Sequence, residues 1–128
     1  MPKFYKDNIK ELKEFLYDSY SHDANLRNVK YDLGEDALKI ELYNPIFKVS
    51  IDVIFHNIEI ALAVKGDWNG SRKIVSSLTV EDDFSCLQKH LLDNSKCMDD
   101  SLYLLFQMFS GDEVHIVSRE VTIESTNN

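Results

Sequence analysis

Ile9, Leu12 and Leu16 recur at helical spacing over residues 8 to 20, with Phe15 and Tyr5 alongside and Lys10, Lys13 and Glu14 on the other side. The spacing predicts an amphipathic helix that lays one stripe on a sheet. Asn8 is a candidate N-cap, with Glu11 three residues later as in a capping box. After the helix the period changes to two. Val29, Tyr31 and Leu33 alternate up to a turn at Gly34-Glu35-Asp36, and Leu38, Ile40 and Leu42 alternate up to Asn44-Pro45. Phe47, Val49, Ile51, Val53 and Phe55 form the longest clean alternation. An even-numbered tight loop at Asn44-Pro45 sets Leu38, Ile40 and Leu42 on the same face as Phe47, Val49 and Ile51.

Beyond Phe55 the apolar positions move from odd to even: Ile58, Ile60, Leu62 and Val64. Such a switch requires an extra residue or a reversal of the chain, so either a bulged bend in one strand or a turn at His56-Asn57 is expected. A glycine-bounded loop (residues 65 to 73) leads to another strand carrying Ile74, Leu78 and Val80. Glu81-Asp82-Asp83 then places negative charge at the start of a short helix reaching about Asn94, which suits the helix dipole. LYLLFQMF, residues 102 to 109, is apolar on both parities and reads as a strand buried on both faces. Ser110-Gly111-Asp112 turns the chain into a last strand, with a bulge expected near Ser118-Arg119. The expected fold class is α+β: an N-terminal helix on a strongly bent antiparallel sheet of six to seven strands, with a second short helix before the last two. Residues 1–124 form one domain in this reading, and 125–128 a frayed tail.

Composition narrows the function. The 128 residues suit a single core. With 22 acidic against 14 basic residues the net charge is −8, which disfavours nucleic acid and anionic membranes and leaves room for a basic protein partner. The N-terminus lacks the apolar run of a signal peptide and no window is long enough for a membrane-spanning helix. With two cysteines, Cys86 and Cys97, reduced thiols and a cytoplasmic location are the expectation.

His22-Asp23 is the first candidate for chemistry. Metal-dependent phosphohydrolases use such a pair, but with an upstream histidine and a distant aspartate, and no histidine precedes His22. The better reading is structural: His22 satisfies carbonyls at the helix C-terminus and Asp23 caps the turn. Cys86 and His90 share a helix face, but with Cys97 they make no complete zinc set. His56 and His115 are expected to be half-exposed strand residues. No phosphate-binding glycine loop or nucleophile elbow occurs. No catalytic residue, metal or other cofactor is therefore expected. Trp68, the single tryptophan, lies in a polar loop and is a candidate anchor for a partner, with Glu81, Asp82 and Asp83 as candidate acidic contacts. The competing reading is a small-ligand-binding protein or enzyme with His22, His56 or His115 lining a pocket in the bent sheet.

Four segments carry a resemblance: SHDA, VKYDLGEDALKIELYN, the F-x-N of VIFHNIEIAL, and LYLLFQMFSGDEVHIVSREVTIE. Together they resemble small bacterial proteins of the YxiG-like and immunity-protein type, over roughly residues 20 to 124. Some of those are encoded beside polymorphic toxins, so the resemblance implies a non-enzymatic binding protein that masks a toxin, and the acidic balance suits a basic one. It also implies a structural role for His22 and Asp23, because the HDA segment recurs at the helix–strand junction. It carries over no catalytic residue.

Overall fold

The structure is a computed structural model and describes residues 2–17, 19–66, 70, 73–88 and 100–127. Among the described residues, seven strands form one mostly antiparallel sheet with a single N-terminal helix against it. The strands are β1 (Lys3–Phe4), β2 (Asn25–Asp32), β3 (Ala37–Asn44), β4 (Val49–Val64), β5 (Val75–Val80), β6 (Leu102–Met108) and β7 (Glu113–Asn127), and the helix is α1 (Ile9–Tyr17). The order across the sheet is β2-β3-β4-β7-β6-β5, with β1 paired to β7 outside this path.

The helix begins differently from the expectation. Lys6–Asn8 form a 3-10 turn before α1, so Asn8 sits inside the first turn, where its side-chain oxygen accepts the Tyr5 amide at 2.6 Å. Leu12 and Leu16 are buried and Ile9 and Phe15 pack against the same core, as the spacing requires. Two residues at the N-terminus form a strand too short to read from any pattern. Phe4 pairs with Val121 and buries its ring 5.6 Å from that of Phe15.

The β3–β4 hairpin has the expected facing: Leu38, Ile40 and Leu42 lie opposite Phe55, Val53 and Ile51. Its turn spans residues 45–48, so Phe47 is displaced from the strand into the turn and is exposed. The parity switch after Phe55 resolves as one continuous strand. Between Ile58 and Ile60 the register of β4 against β7 shifts by one residue, making Glu59 the extra residue. Asn57, two positions earlier, has a left-handed φ of 56°. The bulge expected near Ser118-Arg119 therefore lies on the partner strand instead. The core parity changes along β7 as well, from Ile116 to Val121 and Ile123. The frayed tail is also corrected: Ser125 to Asn127 pair with Ile51 to Val49, because β4 offers them an unused ladder edge.

β6 is buried on both faces. Leu102, Leu104, Phe106 and Met108 join the main core under α1. Tyr103 and Leu105 join Val117 and Leu87 in a second core on the opposite face, with Ile60, Leu62 and Phe84 against it. A single helical turn, Ser85–Gln88, brings Leu87 there. The rest of the short helix expected to Asn94 lies outside the described residues.

The sheet is not closed, yet its two edges meet at one end. Asn25 of β2 bridges Ile74, and three backbone bonds flank the bridge: Asp23 N–H to Val75 O at 2.8 Å, Val75 N–H to Ala24 O at 2.9 Å, and Leu26 N–H to Lys73 O at 2.6 Å. Among the described residues no helix is long and apolar enough to cross a membrane.

Asn44 locks this junction to the hairpin turn. Its carboxamide nitrogen donates to Tyr20 O at 3.0 Å and His22 O at 3.4 Å, while its oxygen accepts the Ile46 and Phe47 amides at 2.9 and 3.1 Å. The residue is buried, so a partner left behind on its removal stays out of reach of full hydration. Asn44→Leu is expected to lose about 1–3 kcal/mol of unfolding free energy. Urea denaturation checks this, with an unchanged slope showing that the fold persists.

Candidate functional site

The α1–β2 connection and the β3–β4 turn wall a groove of about 610 Å³. Leu16 and Leu78 line its apolar side, and Ser21, His22, Asp23 and Ser76 its polar side. Around it stand Tyr17 and Phe47, 90% and 59% exposed, together with exposed Tyr20 and Ile46. The Tyr20 and Phe47 rings pack with centroids 4.6 Å apart. Monomer surfaces seldom cluster large apolar side chains in this way unless they bind something.

Strained backbone surrounds the groove. Tyr20, Asp23 and Lys48 all have left-handed φ, at 61°, 64° and 56°. For a bulky residue such as Tyr20 this is costly, of order 1–3 kcal/mol, and it persists where surrounding contacts over-determine it. Here the Asn44 bond to the Tyr20 carbonyl and the Phe47 ring contact do so.

His22 and Asp23 have structural partners, but not those expected. The Leu16 carbonyl at the helix end is taken by Ser19, through both its amide at 3.2 Å and its hydroxyl at 2.8 Å. His22 instead reaches β5, where Nδ1 lies 2.5 Å from the Ser76 carbonyl. A carbonyl only accepts, so Nδ1 carries the proton. The register of β5 against β6 shifts between Val75 and Ser77, removing Ser76 from the ladder, and His22 supplies its carbonyl with a donor. Asp23 gives its amide to Val75 and occupies a left-handed position that aspartate tolerates better than most residues. The two side chains approach to 3.6 Å and are both well exposed, a geometry worth roughly 0–1 kcal/mol.

Among the described residues the histidines do not converge. His22 lines the groove, and His56 pairs with Glu120 at 3.8 Å. His115 corrects the expectation of a half-exposed strand residue: it is 0% exposed. The Tyr103 hydroxyl is 2.6 Å from its Nδ1, and Glu113 Oε1 is 3.0 Å from its Nε2. Glu113 only accepts, which puts a proton on Nε2 and directs the Tyr103 hydroxyl proton to Nδ1. The signal was available in LYLLFQMF: a strand buried on both faces forces its neighbour's second face inside too, and His115 lies directly opposite Leu105.

The acidic run is partly committed within the chain. Asp82 pairs with Lys13 of α1, and the Glu81 amide donates to Tyr103 O at 2.9 Å. Asp83 Oδ1 accepts the Ser85 amide at 3.0 Å and its hydroxyl at 2.6 Å. Those bonds hold the Asp83 carboxyl below the usual aspartate range. Trp68, like His90 and Cys97, lies outside the described residues, and the side chain of Cys86 is not described. The glycines flanking Trp68 are placed: a Cβ on Gly66 would lie 2.2 Å from the Gly111 carbonyl carbon, and one on Gly70 would lie 2.1 Å from Phe109 O. The Gly66 amide also donates to Asp112 at 2.5 Å. Among the described residues no three His, Cys, Asp or Glu side chains are grouped to hold a metal ion.

No protein-family model matches this chain, and no curated protein matches it.

Two predictions test these roles. His22→Ala is expected to cost about 0.5–1.5 kcal/mol, the usual net value of one hydrogen bond. Asp23→Ala is expected to cost about 1–2 kcal/mol for the left-handed backbone, and Asp23→Gly distinctly less. Thermal or urea unfolding measures all three, and an Asp23→Gly variant weaker than Asp23→Ala would contradict the backbone account. The second concerns pH. Because the folded Asp83 carboxyl is held low, its stabilising contribution is present above the unfolded value and is lost as pH falls through the folded one. Asp83→Asn is therefore expected to lower the melting temperature at neutral pH and to shrink its fall on acidification.

Proposed function

We propose that this chain is a non-enzymatic protein-binding module whose contact surface is the aromatic-rimmed groove around Tyr17, Tyr20, Ile46 and Phe47. The single observation that carries the reading is the exposure of these four large side chains about one groove. Tyrosine and phenylalanine are enriched at protein interfaces, where a few buried aromatic anchors supply most of the binding energy. Strained Tyr20 fits this reading, since strain of this kind gathers at binding sites.

The finer form of the proposal is an immunity protein that masks a basic toxin domain. The resemblance of the SHDA and LYLLFQMF segments supports it, and so does the net charge of −8. That excess draws a basic partner in, with Glu81, Asp82 and Asp83 contributing at long range and Trp68 as a further anchor. A strongly bent sheet and a second short helix continuing from Ser85–Gln88 belong to the same proposal.

The groove volume also lies in the range of small-ligand sites. Against catalysis there, His22 is the one histidine among the described residues of its lining and already donates to Ser76.

The test is capture of partners from cells that make the protein, with the unchanged chain and with a Tyr17→Ser, Phe47→Ser double variant. Both positions are exposed, so stability should move by no more than about 0.5 kcal/mol. A basic protein held by the unchanged chain and lost by the variant, with association slowing as salt rises, is the expected outcome. An acidic partner, or equal retention by both chains, would overturn the proposal.

A further inference from the structure

β2 is an edge strand with an unusual surface. It is bridged to Ile74 at Asn25, and Arg27 is set out of register by the bulge between Leu26 and Asn28. Beyond that point nothing among the described residues pairs with its outer edge. Val29 and Tyr31 lie opposite Ile40 and Leu38, on the face that carries the main core, yet they are 49% and 51% exposed. Leu33, just past the strand end, is 85% exposed. An open edge bearing apolar side chains is a template for another strand.

We propose that residues 28–32 of β2, with Leu33 just beyond them, pair antiparallel with the same segment of a second copy of the chain, making a two-fold symmetric dimer separate from the groove. Charge selects the second copy and its register. In an antiparallel pair, directly opposite residues share a face, so a two-fold pairing that keeps both cores on one side must centre on a residue. Centred on Lys30, it sets Lys30 against Lys30. Centred on Asp32, it sets Asp32 against Asp32. Centred on Val29, it draws in Arg27, the bulged residue that lies over the Tyr43 ring at 4.4 Å. Centred on Tyr31, it sets Lys30 against Asp32 of the second copy on one face, twice by symmetry. The same register sets Val29 against Leu33 of the second copy on the other face, again twice.

The existing bonds of these residues are compatible with that register. Lys30 reaches Glu41 at 3.1 Å but is exposed, so its ammonium has donors for both carboxylates. Asp32 uses Oδ1 for the Gly34 and Glu35 amides at 2.9 and 3.2 Å, so Oδ2 is the oxygen for Lys30 of the second copy. The Tyr31 hydroxyl donates to Asp36 at 2.7 Å within its own hairpin, which fixes the ring at the two-fold axis.

Sedimentation of the full chain over a concentration series, up to its solubility limit, tests this. The unchanged chain is expected to reach twice its mass of 14.8 kDa. Lys30→Asp and Asp32→Lys should each remain at one chain mass, since each sets like charges together. Mixing the two variants should restore the doubled mass, because each then meets its opposite charge. Val29→Glu, at a position exposed in the single chain, should also remain monomeric with an unchanged circular-dichroism spectrum. That variant keeps the test decisive if Asp32→Lys weakens its own turn. A monomeric unchanged chain, a Val29→Glu chain that still dimerises, or folded charge variants that fail to combine on mixing would each overturn the proposal. None of these outcomes depends on Tyr17 or Phe47.

Discussion

The buried carboxamide of Asn44 ties together two segments that have no ladder between them. On one side are the carbonyls of Tyr20 and His22, at the exit of the helix. On the other are the amides of Ile46 and Phe47, at the tip of the hairpin. A hydrophobic residue would fill the space but satisfy none of these groups, and each orphaned group in such a place is costly. Because the bonds run both ways, the positions of Tyr20 and Phe47 are set by the same side chain. The groove between them is thus a consequence of one polar residue at the end of an otherwise apolar strand face.

The rest of the architecture follows from the two longest strands. β4 and β7 run side by side for most of their length, and each serves different neighbours along its course. Early β4 is flanked by β3 and late β7, while late β4 is flanked by early β7, which also carries β6. The extra residue Glu59 lies near the change of neighbours. It moves Ile60 and Leu62 from the main core to the second one, so a single strand supplies apolar side chains to both faces. Bulges increase local twist, and here the bulge also reassigns which face is inside. The second core carries its own polar chain, Tyr103 to His115 to Glu113, satisfied by mutual hydrogen bonds as burial demands.

The elements most legible in the sequence were those with local causes. The alternation Leu38-Ile40-Leu42 and Val49-Ile51-Val53 fixed the hairpin facing, because a side-chain period of two leaves one choice once the turn is placed. The double-sided pattern of LYLLFQMF likewise announced burial on both faces. What was not legible depended on distant partners. Two-residue β1 has no period to detect, and Ser125 to Asn127 look like a tail until β4 is known to extend beside them. His22 and Asp23 find their partners on β5, more than fifty residues away, rather than at the neighbouring helix end. The groove is not legible as a site because its aromatic residues come from two segments, and the alternation extends Phe47 into the strand although it lies in the turn. Tyr20 carried no signal at all, since a left-handed tyrosine is a property of the folded surroundings.

Gly66 and Gly70 press against the backbone of the β6–β7 turn so closely that even a methyl group has no room at either. In a saturation library, positions in a surface connection ordinarily accept most residues. These two would instead show the substitution profile of a packed interior, with alanine already unfavourable. A tolerance map of the chain would thus record two sharp intolerant columns within a stretch whose composition announces a loop. Grafting a foreign peptide into that stretch would have to keep both glycines and confine its diversity between them.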